Sequence, residues 1–261
     1  MRKTMDNREI ILKLYSWAIE ILLLSLFSSY SHLSAQEKLP SPTIDSGLVA
    51  YYPFNGDATD NSGNYNHGFV YGARLTSDRF GRPGSAYLFE RVSDSISVPG
   101  SSDFDFSDER AVTLVCWVCG TNVEGKANVN VTFYGGMSGT GCKQFRLILS
   151  VNGSIIEAAM QSSECWVRTH TSFQRELNRW HLIACTIDNN FLILYHNGQV
   201  ADRRSLYDTK WDTYSIMKLI IQQTRRRHDH TETSVDDVRV YNRALRADEV
   251  KYLYENGRTP L

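Results

Sequence analysis

Cysteines at a short spacing, a run of aspartates and asparagines, a triple arginine and several tryptophans are the groups in this 261-residue chain that could do chemistry. Cys116-Trp117-Val118-Cys119 has the C-x-x-C spacing of redox and zinc sites. A redox pair should open a helix after a strand, yet this one lies in a β-branched, strand-like run, Val112 to Val118. Zinc needs a second pair at matching spacing, and none follows. Cys116 and Cys185 fall mid-strand and read as small core hydrophobes. Cys142 and Cys165 bracket a hairpin, Phe145 to Leu149 and Ile155 to Ala159 around Asn152-Gly153. Cysteines at the far ends of two antiparallel strands can face each other, so these two are the expected disulfide.

The loop Asp57-Ala58-Thr59-Asp60-Asn61-Ser62-Gly63-Asn64 gathers carboxylates and amides. Calcium takes about six to eight such oxygens, though the same residue types also form ordinary solvated turns. The loop lacks the full spacing and terminal Glu of an EF-hand. Arg225, Arg226 and Arg227 could grip a sulfate, a carboxylate or an anionic sugar. His228-x-His230 beside them has too few companions to be a strong metal signal. Trp117 and Trp180 fall in strands and read as core. Trp166 and Trp211 have irregular, polar surroundings, where each either packs beneath a loop or offers a ring face to a sugar. Serine-nucleophile elbows, P-loops and H-E-x-x-H are missing.

These groups need a scaffold, and the chain supplies short alternating or β-branched runs about every ten to fifteen residues between Leu48 and Tyr241. Turn pairs such as Asn55-Gly56, Ser62-Gly63, Asn152-Gly153 and Asn197-Gly198 separate them. No long helical period intervenes, so the pattern predicts an all-β, two-sheet antiparallel sandwich. Only Ala247 to Tyr254 has helical spacing, with Val250, Leu253 and Tyr254 on one face and Asp248 and Glu249 favouring the N-terminal dipole. The predicted architecture is therefore a sandwich with one short C-terminal helix.

The first residues give an address. Arg2, Lys3, Arg8 and Lys13 form a positive region, Ile21 to Phe27 an apolar one, and Leu33-Ser34-Ala35 a small-residue cleavage site. Residues 1–35 read as a signal peptide, 36–46 as a polar linker and 47–261 as one domain. The apolar run is short for a membrane span, so no span is expected in the mature form, although an uncleaved anchor is the alternative. A secreted, cell-surface or periplasmic protein follows. With 28 basic against 29 acidic side chains, the chain lacks the basic excess of a nucleic-acid coat.

Several segments resemble one family. Gly47-Leu48-Val49-Ala50-Tyr51-Tyr52-Pro53-Phe54-Asn55-Gly56-Asp57 is similar to the opening strand and loop of the laminin-G-like, concanavalin A-like jelly rolls. Asp94 to Pro99, Asn178 to Ala184 and the turn Leu192-Ile193-Leu194-Tyr195-His196-Asn197-Gly198 agree with it. The close Val235-Asp236-Asp237-Val238-Arg239-Val240-Tyr241-Asn242-Arg243-Ala244-Leu245 is the most specific piece. Two departures stand out. Phe89-Glu90-Arg91 replaces the family's Phe-Asp-Gly turn, and Arg246 occupies the N-cap place of a Ser or Thr, which predicts a weak helix start.

The resemblance implies a jelly roll over nearly all of residues 47 to 256 and carries further expectations. Family glucanases use two glutamates flanking an aspartate on one strand, whereas the glutamates here are scattered, so no enzyme is expected. Asp236 and Asp237 are adjacent, so on a regular strand they point to opposite faces and cannot act together. First and last strands are neighbours in such folds, which would bring Asp57 and Asp60 near Asp236 around one structural calcium. The function implied is a non-catalytic, lectin-like module binding carbohydrate through a concave face or loop edge, with Trp166, Trp211 and Arg225 to Arg227 as candidate contacts. The alternative is a protein-interaction or adhesion module with an extracellular protein ligand.

Overall fold

The computed structural model describes residues 44–106, 110–121, 127–135, 145–161, 166–174, 176–207, 217–223 and 232–257. The chain divides between Pro42 and Thr43. The expected leader and all but the last residues of the expected linker lie outside the described residues. Cys142, Cys165, Trp211, Arg225, Arg226 and Arg227 do too.

Alternation turns into strands throughout. In chain order they are β1 (Leu48–Tyr52), β2 (Phe69–Tyr71), β3 (Arg74–Thr76), β4 (Ala86–Phe89), β5 (Ser95–Ser101), β6 (Val112–Gly120), β7 (Ala127–Gly135) and β8 (Phe145–Gly153). There follow β9 (Ile155–Gln161), β10 (Trp166–Ser172), β11 (Trp180–Ile187), β12 (Phe191–His196), β13 (Gln199–Ser205), β14 (Met217–Gln223), β15 (Thr233–Tyr241) and the helix α1 (Ala247–Asn256). Among the described residues one sheet runs β13-β12-β11-β6-β15-β4-β3, with β1 also on β15, and the other runs β10-β9-β8-β7-β14-β5-β2. Every recorded pairing is antiparallel, as expected. First and last strands are indeed neighbours, with Tyr51 opposite Arg239.

The inner faces meet in one core. Phe54, Phe89, Phe104, Leu114, Phe133, Leu147, Met217, Leu219 and Ile221 are fully buried there. β14 shows the rule in miniature, because Met217, Leu219 and Ile221 point inward while Lys218, Ile220 and Gln222 alternate outward. β6 breaks the alternation and is buried at all nine positions. It is covered on both sides. Its outer face joins Leu182, Tyr195, Tyr241, Val250 and Leu253 in a second cluster under α1, where Trp117 stacks on Tyr254 with ring centroids 5.8 Å apart.

This explains the C-x-x-C segment. Positions three apart on a strand face opposite ways, so Cys116 enters the inner core while Cys119 does not. Cys116, Cys119 and Cys185 are free and buried, and burial pushes the Cys119 and Cys185 thiols up to about 12. They are core side chains, not reactive ones.

The helix starts better than Arg246 suggested. Its carboxylate partner is Glu249, which accepts the Arg246 N–H at 2.8 Å and both Arg243 guanidinium nitrogens at 2.9 and 2.8 Å. Burial alone would raise this carboxyl, yet those bonds hold it below its ordinary value. The cap is thus built from the third helical residue backward. Glu249→Ala removes two bonds from the Arg243 guanidinium and uncaps α1, so urea unfolding should show a loss of about 2 kcal/mol, whereas Arg246→Ala should cost well under half of that.

Candidate functional site

Two regions gather polar groups: the outer face of the seven-stranded sheet, and a charged cluster on the opposite sheet beside α1.

Strand register builds the first. Tyr71 lies opposite Ser95, Ser95 opposite Gln222, Gln222 opposite Asn130, Asn130 opposite Ser150, Ser150 opposite Glu157, and Glu157 opposite His170. One row therefore crosses all seven strands, about 29 Å at about 4.8 Å per strand. The next row runs Phe69, Ser97, Ile220, Thr132, Ile148, Ala159 and Arg168 by the same pairings. The third holds Lys218, Tyr134, Gln161 and Trp166. Their alternate neighbours fill the core, so these side chains face outward. The described helix covers the other sheet.

In the middle of this face the small residues Ala159, Ser150 and Thr132 are only 1%, 8% and 9% exposed. Aromatic rings stand at both ends, Trp166 at 42% exposure and Tyr71 and Phe69 at 56% and 58%. The Arg168 guanidinium lies 4.8 Å from the Trp166 ring centroid and steadies the ring by a cation–π contact. The Gln161 side-chain oxygen, opposite Trp166, is buried without a hydrogen-bond partner. Trp166 thus opens a strand, where an irregular segment was expected. The rest of β10 (Val-Arg-Thr-His-Thr-Ser) is polar because it is an edge strand with one bare face.

The second region corrects the reading of Asp236 and Asp237. Asp236 pairs with Trp117 and Arg239 with Val115, so β15 carries one residue more than β6 between those points. This bulge sets Asp237 at φ 49°, a left-handed conformation that Asp tolerates. Both carboxylates consequently reach the same side and ion-pair with one guanidinium, that of Arg79. The Arg79 Nε–H donates to the Gly257 carbonyl at the end of α1. Phe80 and Trp117 sandwich the guanidinium at 4.5 and 5.0 Å. Tyr51 Oη donates to Asp237 at 2.6 Å, and Arg239 lies 4.3 Å over the Tyr51 ring. Asp78 presents Arg79 by accepting the Phe80 and Arg82 N–H groups at 2.9 and 2.8 Å.

A cavity of about 340 Å³ opens here between the sheet and α1, bordered by Tyr51, Arg79, Trp117 and Tyr252. Its carboxylates are committed to its guanidiniums, so it is a joint more than a ligand site.

The calcium expectation can be tested against the donors. Asp60 accepts the Tyr51 N–H at 2.9 Å, the Ser62 N–H and hydroxyl at 2.8 and 2.9 Å, and the Asn66 N–H at 2.9 Å. Its oxygens are spent on organising the loop. Asp57 accepts the Thr59 N–H at 2.9 Å, which holds its carboxyl below the ordinary value. Asp236 belongs to Arg79. The donor set does not fit a shared ion, and among the described residues no three His, Cys, Asp or Glu side chains come together as a metal site requires.

Two predictions follow from these geometries. Burial, then the adjacent Asp237 charge, pushes Asp236 up to about 8 against the pull of Arg79. A carboxyl raised on folding contributes most when protonated, so its contribution is full below about 4 and is lost as pH rises through about 8. Asp236→Asn should flatten that part of the stability profile in urea titrations across this range. A chelator should leave the melting temperature unchanged, while Asp60→Ala should lower it equally with and without chelator. A chelator-dependent melt would return calcium to the loop.

The concanavalin A-like lectin/glucanases superfamily matches residues 90–251. No curated protein matches the chain. Among solved structures, the chain is similar to the binding domain of Paraclostridial Mosquitocidal Protein 1, at 19% identity and TM-score 0.66, over 82% of this chain and 53% of that one. It is also similar to the receptor binding domain of botulinum neurotoxin C/D mosaic serotype, at 12% and 0.63, over 81% and 52%. A third is the botulinum neurotoxin serotype D ligand binding domain in complex with N-acetylneuraminic acid, at 14% and 0.62, over 81% and 51%. At these identities the likeness is one of fold. The chain spans about half the length of the solved chains it matches.

Proposed function

We propose that this chain, which belongs to the concanavalin A-like lectin/glucanases superfamily, is a non-catalytic module that binds carbohydrate on the open face of its seven-stranded sheet. The observation that carries the reading is the polar row from Tyr71 to His170, with exposed aromatic rings at both ends of the face. A pyranose presents apolar C–H faces and a rim of hydroxyls. Rings such as Trp166 suit the first, and Ser, Asn, Gln and Glu at regular spacing suit the second. The row's length, about 29 Å, favours an oligosaccharide over a single sugar.

The same rows argue against hydrolysis. Retaining glycosidases need two carboxyl groups about 5 Å apart, and Glu157 is the one carboxylate on the described rows. Glu90 and Asp94, the nearest approach to a paired motif in the sequence, do not face each other as a catalytic pair: Glu90 pairs with Arg74, and Asp94 Oδ2 accepts the N–H groups of Glu90 and Arg91 at 2.9 and 2.8 Å while its Oδ1 is buried.

Trp211 precedes β14 in the chain and Arg225, Arg226 and Arg227 follow it, and they are the candidate contacts for an acidic sugar. The reading also places the domain outside the cell, after loss of a leader over residues 1–35. The described residues contain no helix long and apolar enough to cross a membrane.

A glycan array probed with the expressed chain should show selective binding to oligosaccharides. Trp166→Ala should weaken the best ligand at least about tenfold, consistent with the loss of about 1.5 kcal/mol of ring contact, with the melting temperature unchanged. A blank array, or binding indifferent to Trp166→Ala and Glu157→Ala together, would sink the assignment.

A further inference from the structure

We propose that His181 and His196, packed against Phe173, form an acid-operated contact between the two sheets, closed while His181 is neutral and loosened once it takes a proton. Phe173 directly follows β10 of the seven-stranded sheet, and the two histidines belong to β11 and β12 of the eight-stranded one. His181 continues the inward-facing series Ile183, Cys185 and Ile187, and His196 the series Leu192 and Leu194. A polar pair therefore stands where the two-residue period leads into apolar core. The Phe173 ring meets His181 edge-on at 4.8 Å and His196 at 5.4 Å between centroids, and the two imidazoles lie 5.1 Å apart.

The hydrogen-bond partners assign the protons. His181 Nδ1 lies 3.0 Å from His196 Nε2, and one of these nitrogens must donate to the other. The Asn197 side-chain oxygen accepts the Leu182 N–H at 3.0 Å, which leaves its Nδ2, a donor, facing His181 Nδ1 at 3.5 Å. His181 Nδ1 is accordingly the acceptor, and His196 donates from Nε2. Neutral His181 then carries its own proton on Nε2, which is buried without a hydrogen-bond partner. A first added proton can go to His196 Nδ1 and leave the bond between the rings intact. A second must go to His181 Nδ1, where it meets two N–H donors on a residue only 6% exposed. Neither N–H of the charged ring then has an acceptor, and a buried imidazolium without one is costly.

Among the described residues, the charged groups acting on the pair are Arg179 and Glu176. Arg179 opposes a proton on either ring, while Glu176, which favours one on His181, is ion-paired with Arg179. Burial, then His196, then Arg179 bring His181 down to about 4, and burial, then Arg179, lower His196. In the unfolded chain both rings take protons near about 6.5. Between those values the folded protein binds fewer protons than the unfolded one. The pair's contribution is therefore whole above about 6.5 and is lost progressively as pH falls toward about 4. β10, which Phe173 ends, also carries Trp166 and Arg168, so acid slackens the strand at the aromatic end of the open face. The contact itself stands whether or not that face binds sugar.

NMR titration of the histidine ring signals in the full chain should find both rings neutral at about pH 7.5 with their protons on Nε2, and His181 titrating after His196, both below about 6.5. Hydrogen exchange at the Leu182 and Asn197 N–H groups, corrected for intrinsic pH dependence, should quicken at least about tenfold between about pH 7 and about pH 4. Val131 and Leu149, in the middle of the other sheet, should hold their corrected rates. His181→Gln keeps an acceptor for His196 but cannot titrate, so it should remove the acceleration. Subtracting its urea stability from that of the parent across the same range cancels the opposite slope of Asp236 and should leave a loss toward acid pH. Should His181→Gln fail to fold, the titration and the exchange rates of the parent chain still decide. His181 titrating at or above about 6.5, exchange that quickens alike in both sheets, or an acceleration that survives His181→Gln would overturn the proposal.

Discussion

The interaction on which the sandwich depends is the grip of one guanidinium, Arg79, on two adjacent carboxylates. β15 is an interior strand of its sheet, bordered by β6 on one side and by both β1 and β4 on the other. Its inward residues are Val235, Val238 and Val240, a spacing of three and then two. A regular strand would keep a spacing of two, so one residue must be absorbed, and the bulge at Asp237 absorbs it. That step brings Asp237 alongside Asp236 in a buried place, where burial and the neighbouring charge favour the protonated form of Asp236. Arg79 makes the arrangement tenable by answering both, and its third bond, to Gly257, reaches the end of α1. Three segments distant in sequence meet at one planar cation with the fork geometry to hold them.

This joint makes the molecule two-sided. The face of the eight-stranded sheet that carries the Arg79 cluster is sealed by α1, with Trp117 stacked on Tyr254 beneath it. The seven-stranded sheet has no such lid among the described residues, and its outward positions mix Ser, Thr, Asn, Gln and Glu with Ile148, Ala159, Ile220, Lys218, Arg168 and His170, with rings toward the ends. A surface that binds must keep its polar groups available, whereas those of the Arg79 cluster are consumed by one another. The proposed carbohydrate site accordingly lies on the sheet that the described helix leaves uncovered.

Much of this was legible in the sequence. Alternating valines, isoleucines and leucines located the strands of the sheet interiors, because each must fill one stripe of the core. The least legible strands are β3, β10 and β13, all terminal and largely exposed. An edge strand with an exposed outer face needs few apolar residues, and in β10 only Thr169 is fully buried. Asp236 and Asp237 were misread by applying a strict two-residue period, although the Val235, Val238, Val240 spacing in the same segment already signals the slip. Arg79 left no signal at all. It sits in Asp78-Arg79-Phe80-Gly81-Arg82-Pro83-Gly84, which reads as an ordinary turn, and its partners lie 157 and 158 residues away. In the acidic loop carboxylates and amides suit calcium, and the backbone N–H groups of the same tight loop compete for the Asp60 oxygens.

A buried ion cluster is weak evidence for stability, since well-packed apolar residues of the same volume often do as well. Its value here lies in register. If β15 slipped by one residue against β6, Val238 and Val240 would turn outward, and Asp237 and Arg239 would enter a core of Leu114, Phe89 and Ile183 with no partner for either charge. In the native register both find partners on the outer side, in Arg79 and in Tyr51, whose hydroxyl bonds Asp237 and whose ring lies under Arg239. The energy gap between those two states is set chiefly by the cost of an unpaired buried charge, which exceeds what a misplaced valine costs. The charges thus penalise the wrong alignment more than they reward the right one. Because β1, β4 and β6 all take their alignment from β15, that penalty fixes the eight-stranded sheet as a whole.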